Sequence, residues 1–146
     1  MYKNILMPTD GSDFGMGAIP YAIDFAKAVG ARLTALTVSI PYSAVASGAL
    51  SARFPEEDYL KSTSDAATQN LKKIEAAAAA AGVPFKAFHA YQMHPWQAII
   101  ETAAEQGCDL IIMASHGRRG IAGLLLGSET KKVLTHTTIP VLVWRA

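Results

Sequence analysis

Short apolar runs along the chain alternate with longer stretches whose apolar residues recur every three or four positions. The runs Asn4 to Met7, Leu33 to Ser39, Phe85 to Tyr91, Leu110 to Ser115 and Val141 to Trp144 have the length and content of strands. From Gly17 to Val29 the residues Ile19, Ala22, Ile23, Ala26 and Val29 form a helical stripe, and Gly30 stands where a C-cap would. Pro20 either marks the first turn of that helix or kinks it, because proline donates no interior hydrogen bond. Glu56 to Ala81 is the longest helical pattern, stopping at Gly82 and Pro84. Pro95 suits a first helical residue, and Trp96, Ile99, Ile100 and Ala103 carry a stripe down to Gly107. A last helix is expected from Ser128, with the serine oxygen capping its first turn and Val133 and Leu134 facing inward.

Strands alternating with helices imply right-handed crossovers, hence an α/β fold with an open five-stranded parallel sheet and helices on both faces. At 146 residues, 51% of them hydrophobic, the chain is the size of a single domain, 1–146, able to bury one core. A net charge of +1 provides no field to draw nucleic acid or an anionic membrane, so any anion site is local. Cys108 is the sole cysteine, which excludes an intrachain disulfide and fits a buried reduced thiol. The apolar stretch after Met1 ends at Pro8, too short for a signal peptide or a membrane span, so a cytoplasmic protein is expected. His89, His94 and His136 are spaced unlike a metal site. The Ser-, Ala- and Gly-rich stretch from Pro41 to Pro55 is either a lid or a connector.

The chemistry is concentrated after the fourth strand, from Ala114 to Ser128. Gly117, Gly120, Gly123 and Gly127 let backbone amides approach an anion, and a helix starting at Ser128 aims its positive end at the same place. A loop at the carboxyl end of a parallel strand is where ligands bind in open α/β sheets. The stretch is not a P-loop, since no Gly-Lys-Ser/Thr follows, nor a dinucleotide fingerprint, which would follow the first strand. Arg118 or Arg119 would neutralise a phosphate, or stand solvated at the loop tip. Asp10, in Asp-Gly-Ser, reads equally as a turn and cap residue. His116 has no evident nucleophile or carboxylate partner, which favours a structural role over that of a base.

The chain resembles the universal stress protein family, ATP-binding branch, over essentially its whole length. Asn4-Ile5-Leu6-Met7-Pro8-Thr9-Asp10-Gly11-Ser12 is similar to the family's first strand and turn, and Ile139-Pro140-Val141-Leu142-Val143-Trp144 to its last strand. The nucleotide motif Gly-x2-Gly-x9-Gly-Ser/Thr falls on Ala114, Gly117, Gly127 and Ser128, with alanine in place of the first glycine. The resemblance implies a Rossmann-like, adenine nucleotide α-hydrolase-like sheet of order 3-2-1-4-5. It implies ATP with Mg2+ as ligand, Asp10 at the ribose or a metal-bridged phosphate with Pro8 and Thr9 beside it, and Val38 at the adenine. Met113, Ala114, Ser115, His116, Gly117 and Arg118 would line the loop, and Gly127, Ser128, Glu129 and Thr130 the helix start.

The expected function is regulatory binding of ATP in stress response or signalling, with an unknown protein partner. The alternatives are a nucleotide-free dimeric interaction module and a slow ATP hydrolase. Thr9-Asp10-Gly11-Ser12-Asp13 matches the pyrophosphatase loop poorly, and no catalytic residue is assigned. Val141-Leu142-Val143-Trp144 is apolar on both faces, so as an outer strand it would leave an edge that a second copy covers, giving the family's homodimer.

Overall fold

The protein is described by a computed structural model over residues 1–47, 53–116 and 126–146. β1 (Asn4–Pro8) holds the middle of the sheet. Its Ile5, Leu6 and Met7 are at most 1% exposed, and since strand side chains alternate, Ile5 and Met7 face one side and Leu6 the other. The remaining elements follow as α1 (Asp13–Val29), β2 (Arg32–Ser39), α2 (Tyr42–Val45), α3 (Glu56–Ala81), β3 (Phe85–Tyr91), α4 (Pro95–Glu105), β4 (Leu110–Ala114), α5 (Ser128–His136) and β5 (Val141–Trp144). The strands form one parallel sheet of order β3-β2-β1-β4-β5, the order the resemblance implies.

That order decides where the helices go. From β1 the chain steps outward to β2 and β3, then crosses back to β4 and steps outward the other way to β5. Right-handed crossovers in opposite directions put their helices on opposite faces. Ile5 and Met7 accordingly pack with Ile19 and Ile23 of α1 and with Leu71 and Ile74 of α3. On the other face Leu6, Leu36 and Ile111 pack with Ile99 and Ala103 of α4 and Val133 of α5. Burial on both faces is why these strands read as near-continuous apolar runs.

The limits of α3, β3 and β5 and the start of α4 at Pro95 agree with the sequence pattern, and Gly30 closes α1 in the left-handed conformation. β1 runs on to Pro8, β2 begins at Arg32 and β4 ends at Ala114. Three expectations are corrected. α1 starts at Asp13 rather than Gly17, because Ser12 is its N-cap, accepting from the Gly15 amide at 3.1 Å; Pro20 therefore lies inside the helix, not in its first turn. Gly17 is a packing residue: a Cβ there would stand 2.9 Å from Cη2 of Trp144. In α5, Ser128 is the first helical residue and caps nothing; Gly127 is the N-cap, without a side-chain bond. Leu134 is 41% exposed, and Thr130 joins Val133 on the buried face instead.

Cys108 is a free, buried thiol, its pKa raised by burial. α2 lies within the Pro41 to Pro55 stretch, where Tyr42 donates to the Phe54 carbonyl at 2.8 Å and Tyr59 of α3 donates to the Ile40 carbonyl. Residues 48–52 of that stretch lie outside the described residues. Among the described residues no helix is long and apolar enough to cross a membrane.

Candidate nucleotide site at the carboxyl edge of the sheet

The site begins where the sheet stops being continuous. β1 pairs with β2 through to Pro8↔Leu36, and β4 with β5 through to Ala114↔Trp144, but the ladder between β1 and β4 ends at Leu6↔Ile111. This is the point where the strand order reverses, and a crevice outside the carboxyl ends of the strands is expected there. One wall is Pro8, Thr9 and Asp10, and the other is Ala114, Ser115 and His116.

On the β1 side the chain is fixed by short-range polar contacts. The Thr9 amide donates to the Leu36 carbonyl at 2.9 Å, which ties the strand end to β2. Asp10 Oδ1 accepts from the Ser12 amide at 3.0 Å and from Ser12 Oγ at 2.5 Å, while Ser12 Oγ accepts the Gly15 amide. Asp10 thus forms the turn, as one of its two sequence readings has it, and Ser12 is the cap. Gly11 between them has φ 73°, and a Cβ there would overlap the Asn70 amide of α3. The positive φ favours glycine, and a Cβ would in addition displace the Asn70 amide.

On the β4 side a buried hydroxyl does the holding. Thr130 is 3% exposed, and its Oγ1 donates to the Ala114 carbonyl at 3.1 Å and lies 3.4 Å from that of Ser115. The Ser115 amide donates to the Trp144 carbonyl at 2.8 Å, and its carbonyl accepts from the Gly127 amide at 2.6 Å. The start of α5 is therefore bound to the end of β4, although residues 117–125 separate them in sequence. α5 presents at this edge the first-turn amides that a helix cannot satisfy itself, with the positive end of its dipole.

The expected site residues divide accordingly. Pro8, Asp10, Ala114, His116 and Gly127 are half-buried at the edge, and Ser128 is exposed there. Val38 is half-buried and packs with the core on the α4 and α5 face. Met113 and Thr9 are buried, and so is Ser115, at 1% exposure. Ser115 Oγ lies 3.1 Å from His116 Nδ1, a structural pair rather than an accessible nucleophile and base. The Glu129 carboxylate accepts from the Trp96 amide of α4 at 2.9 Å. Gly117 and Arg118, with Arg119, lie outside the described residues. Ser12, Asn70, Trp96 and Trp144 enter the site's framework without having been read from the sequence; only the Ser12-Asp13 cap signature was there to be found.

The histidines are spread apart. His89 lies on β3, with Nε2 2.8 Å from Ser39 Oγ and its ring against Tyr91, and burial lowers its pKa. His136 stacks on Trp96. Among the described residues no three His, Cys, Asp or Glu side chains are grouped to hold a metal ion.

The sequence pattern of the universal stress protein family matches residues 1–145. The chain belongs to that family. It is similar to universal stress protein MJ0531 of Methanocaldococcus jannaschii, 33% identical over 98% of this chain and 82% of the relative. The solved structure of hypothetical protein MJ0577, also from Methanocaldococcus jannaschii, superimposes at a TM-score of 0.86, with 27% identity, covering 100% of this chain and 97% of that one. A universal stress protein solved in complex with cAMP matches at a TM-score of 0.68, 26% identical over 99% of this chain and 97% of the other. The Rossmann-like fold of the family and its strand order are those found here.

Because Thr130 Oγ1 donates to the Ala114 carbonyl, while the Ser115 carbonyl keeps the Gly127 amide, Thr130→Val should remove the Ala114 carbonyl's hydroxyl donor while keeping the side chain's shape. Urea unfolding should show a loss of about 1 to 3 kcal/mol; no change in midpoint would show that the hydroxyl does not hold the edge together.

Proposed function

We propose that this universal stress protein binds an adenine nucleotide, ATP with Mg2+, in the crevice between β1 and β4, and that the ligand regulates rather than being turned over. The observation that carries the reading is the start of α5, tied to the end of β4 beside the switch point, where a helix leaves first-turn amides for an anion. Gly117, Gly127 and Ser128 supply the rest of the phosphate motif in sequence. The cAMP complex of a 26% identical family member supports an adenine nucleotide as the ligand class.

The residues present suit the ligand. Phosphate oxygens meet the first-turn amides of α5 from Ser128 onward, the Gly127 amide being held by the Ser115 carbonyl, with Arg118 as a cation. Asp10, fixed through one carboxylate oxygen by Ser12, is the carboxylate for the ribose or for a magnesium-bridged phosphate. Val38, at the carboxyl end of β2, is the apolar support for the base. Ala114 carries one methyl group more than the motif glycine, the smallest possible replacement, so the methyl changes affinity rather than closing the site. Occupancy acts by binding one conformation more tightly than another.

We further infer a homodimer of single-domain subunits in the cytoplasm, joined through β5. All four residues of this outer strand are half-buried rather than buried, leaving an apolar edge for a second copy.

Isothermal titration of ligand-stripped protein with Mg-ATP should give micromolar binding, of the order typical for regulatory ligands, and Gly117→Val should abolish it. Absence of binding to the wild type would overturn the nucleotide reading in favour of a nucleotide-free interaction module. In sedimentation, Val141→Lys should run as a monomer; a dimer indistinguishable from the wild type would exclude β5 as the interface.

A further inference from the structure

We propose that Glu129 is a positioning residue for the phosphate site, acting on α4 rather than on the ligand, an inference that rests on the nucleotide reading above. Glu129 is the second residue of α5, where a carboxylate favours the helix dipole but repels a phosphate arriving at the same amides. Its side chain is drawn elsewhere. Oε2 accepts from the Trp96 amide at 2.9 Å, and Oε1 lies 3.6 Å from Lys132 Nζ.

The Trp96 amide is a donor that α4 cannot satisfy by itself. Pro95, the first residue of α4, has no N–H, and His94 at the N-cap makes no side-chain cap bond. The Gln97 and Ala98 amides both reach the His94 carbonyl, leaving Trp96 as the amide of the first turn that needs an outside acceptor. Glu129 is that acceptor. α5 thus supplies the N-terminal cap that the sequence of α4 lacks, and in doing so its negative charge is held by α4 and Lys132.

A second contact fixes the same pair of helices. The Trp96 indole stacks on His136, the last residue of α5, with ring centroids 4.5 Å apart and planes 25° from parallel. Trp96 therefore meets α5 at both ends, through its amide at the first turn and its ring at the last. Thr130, the next residue after Glu129, binds the strand-end carbonyls of β4. The first turn of α5 is held by β4 on one side and α4 on the other, which orders the phosphate donors before a ligand arrives.

The test uses Glu129→Ala and Glu129→Gln in the full chain. Glutamine keeps an acceptor oxygen for Trp96 and removes the charge; alanine removes both. Glu129→Ala should weaken Mg-ATP binding about tenfold, and Glu129→Gln should stay within about threefold of the wild type. In the ligand-free proteins, hydrogen exchange at the Trp96 amide and the first turn of α5 should quicken in Glu129→Ala and not in Glu129→Gln, with β1 and β2 protected in both. Equal or tighter binding by Glu129→Ala would show that the carboxylate only repels the ligand and would overturn the proposal, as would unchanged exchange at Trp96. A wild type that takes up no Mg-ATP overturns the nucleotide reading instead; quickened exchange at Trp96 in Glu129→Ala then still upholds the clamp between α4 and α5, and unchanged exchange overturns it.

Discussion

The reversal of strand order between β1 and β4 is the constraint on which the site depends. Two right-handed crossover systems leave the middle of the sheet in opposite directions, so α1 and α3 cover one face and α4 and α5 the other. The β1–β4 ladder stops at Leu6↔Ile111 while both strands continue toward the carboxyl edge. The crevice is a consequence of topology before any side chain is chosen. What the side chains add is rigidity at its two rims.

Those rims are built from small polar groups placed where water is scarce. A buried hydroxyl without a partner costs about 1 to 3 kcal/mol, and those of Thr9, Ser115 and Thr130 at the two rims each have one. Thr130 Oγ1 donates to the Ala114 carbonyl at the end of β4 and lies near that of Ser115, Thr9 Oγ1 accepts from the Gly11 amide, and Asp10 and Ser12 close the turn into α1. The backbone donors intended for a ligand are thereby separated from those consumed by the fold. Glu129 belongs to the same logic, since its charge is satisfied by the neighbouring helix rather than by the amides of its own.

Much of the architecture was legible because a parallel sheet buried on both faces writes its strands as continuous apolar runs. The exceptions trace to local caps and helix phase as well as to contacts distant in sequence. Gly17 marks the start of the stripe in sequence, but it lies inside α1, where Trp144 of the outer strand packs against it. Ser128 has the chemistry of a cap, but it is the first helical residue, and Gly127, its amide bound to the Ser115 carbonyl, is the N-cap one residue earlier. Leu134 shares its neighbour's hydropathy, yet the 3.6-residue period turns it to solvent and brings Thr130 inward. In the site, the glycine motif and Asp10 were visible as residue types at a spacing. The partners of that framework, Asn70 over Gly11 and Trp96 beside Glu129, lie on other elements and have no local signature.

The account's central claim is that the crevice between β1 and β4 is the nucleotide site. Its most direct test is a two-dimensional amide NMR titration of isotope-labelled protein with Mg-ATP. The account predicts that the amides of Thr9, Asp10, Ser115, His116, Gly127 and Ser128 shift together and saturably, while Lys3, Asn4 and Asp109 at the amino edge stay in place. Shifts centred elsewhere, for instance on the groove between α1 and α3 lined by Ile19, Ile23, Ala77 and Ala81, would contradict it.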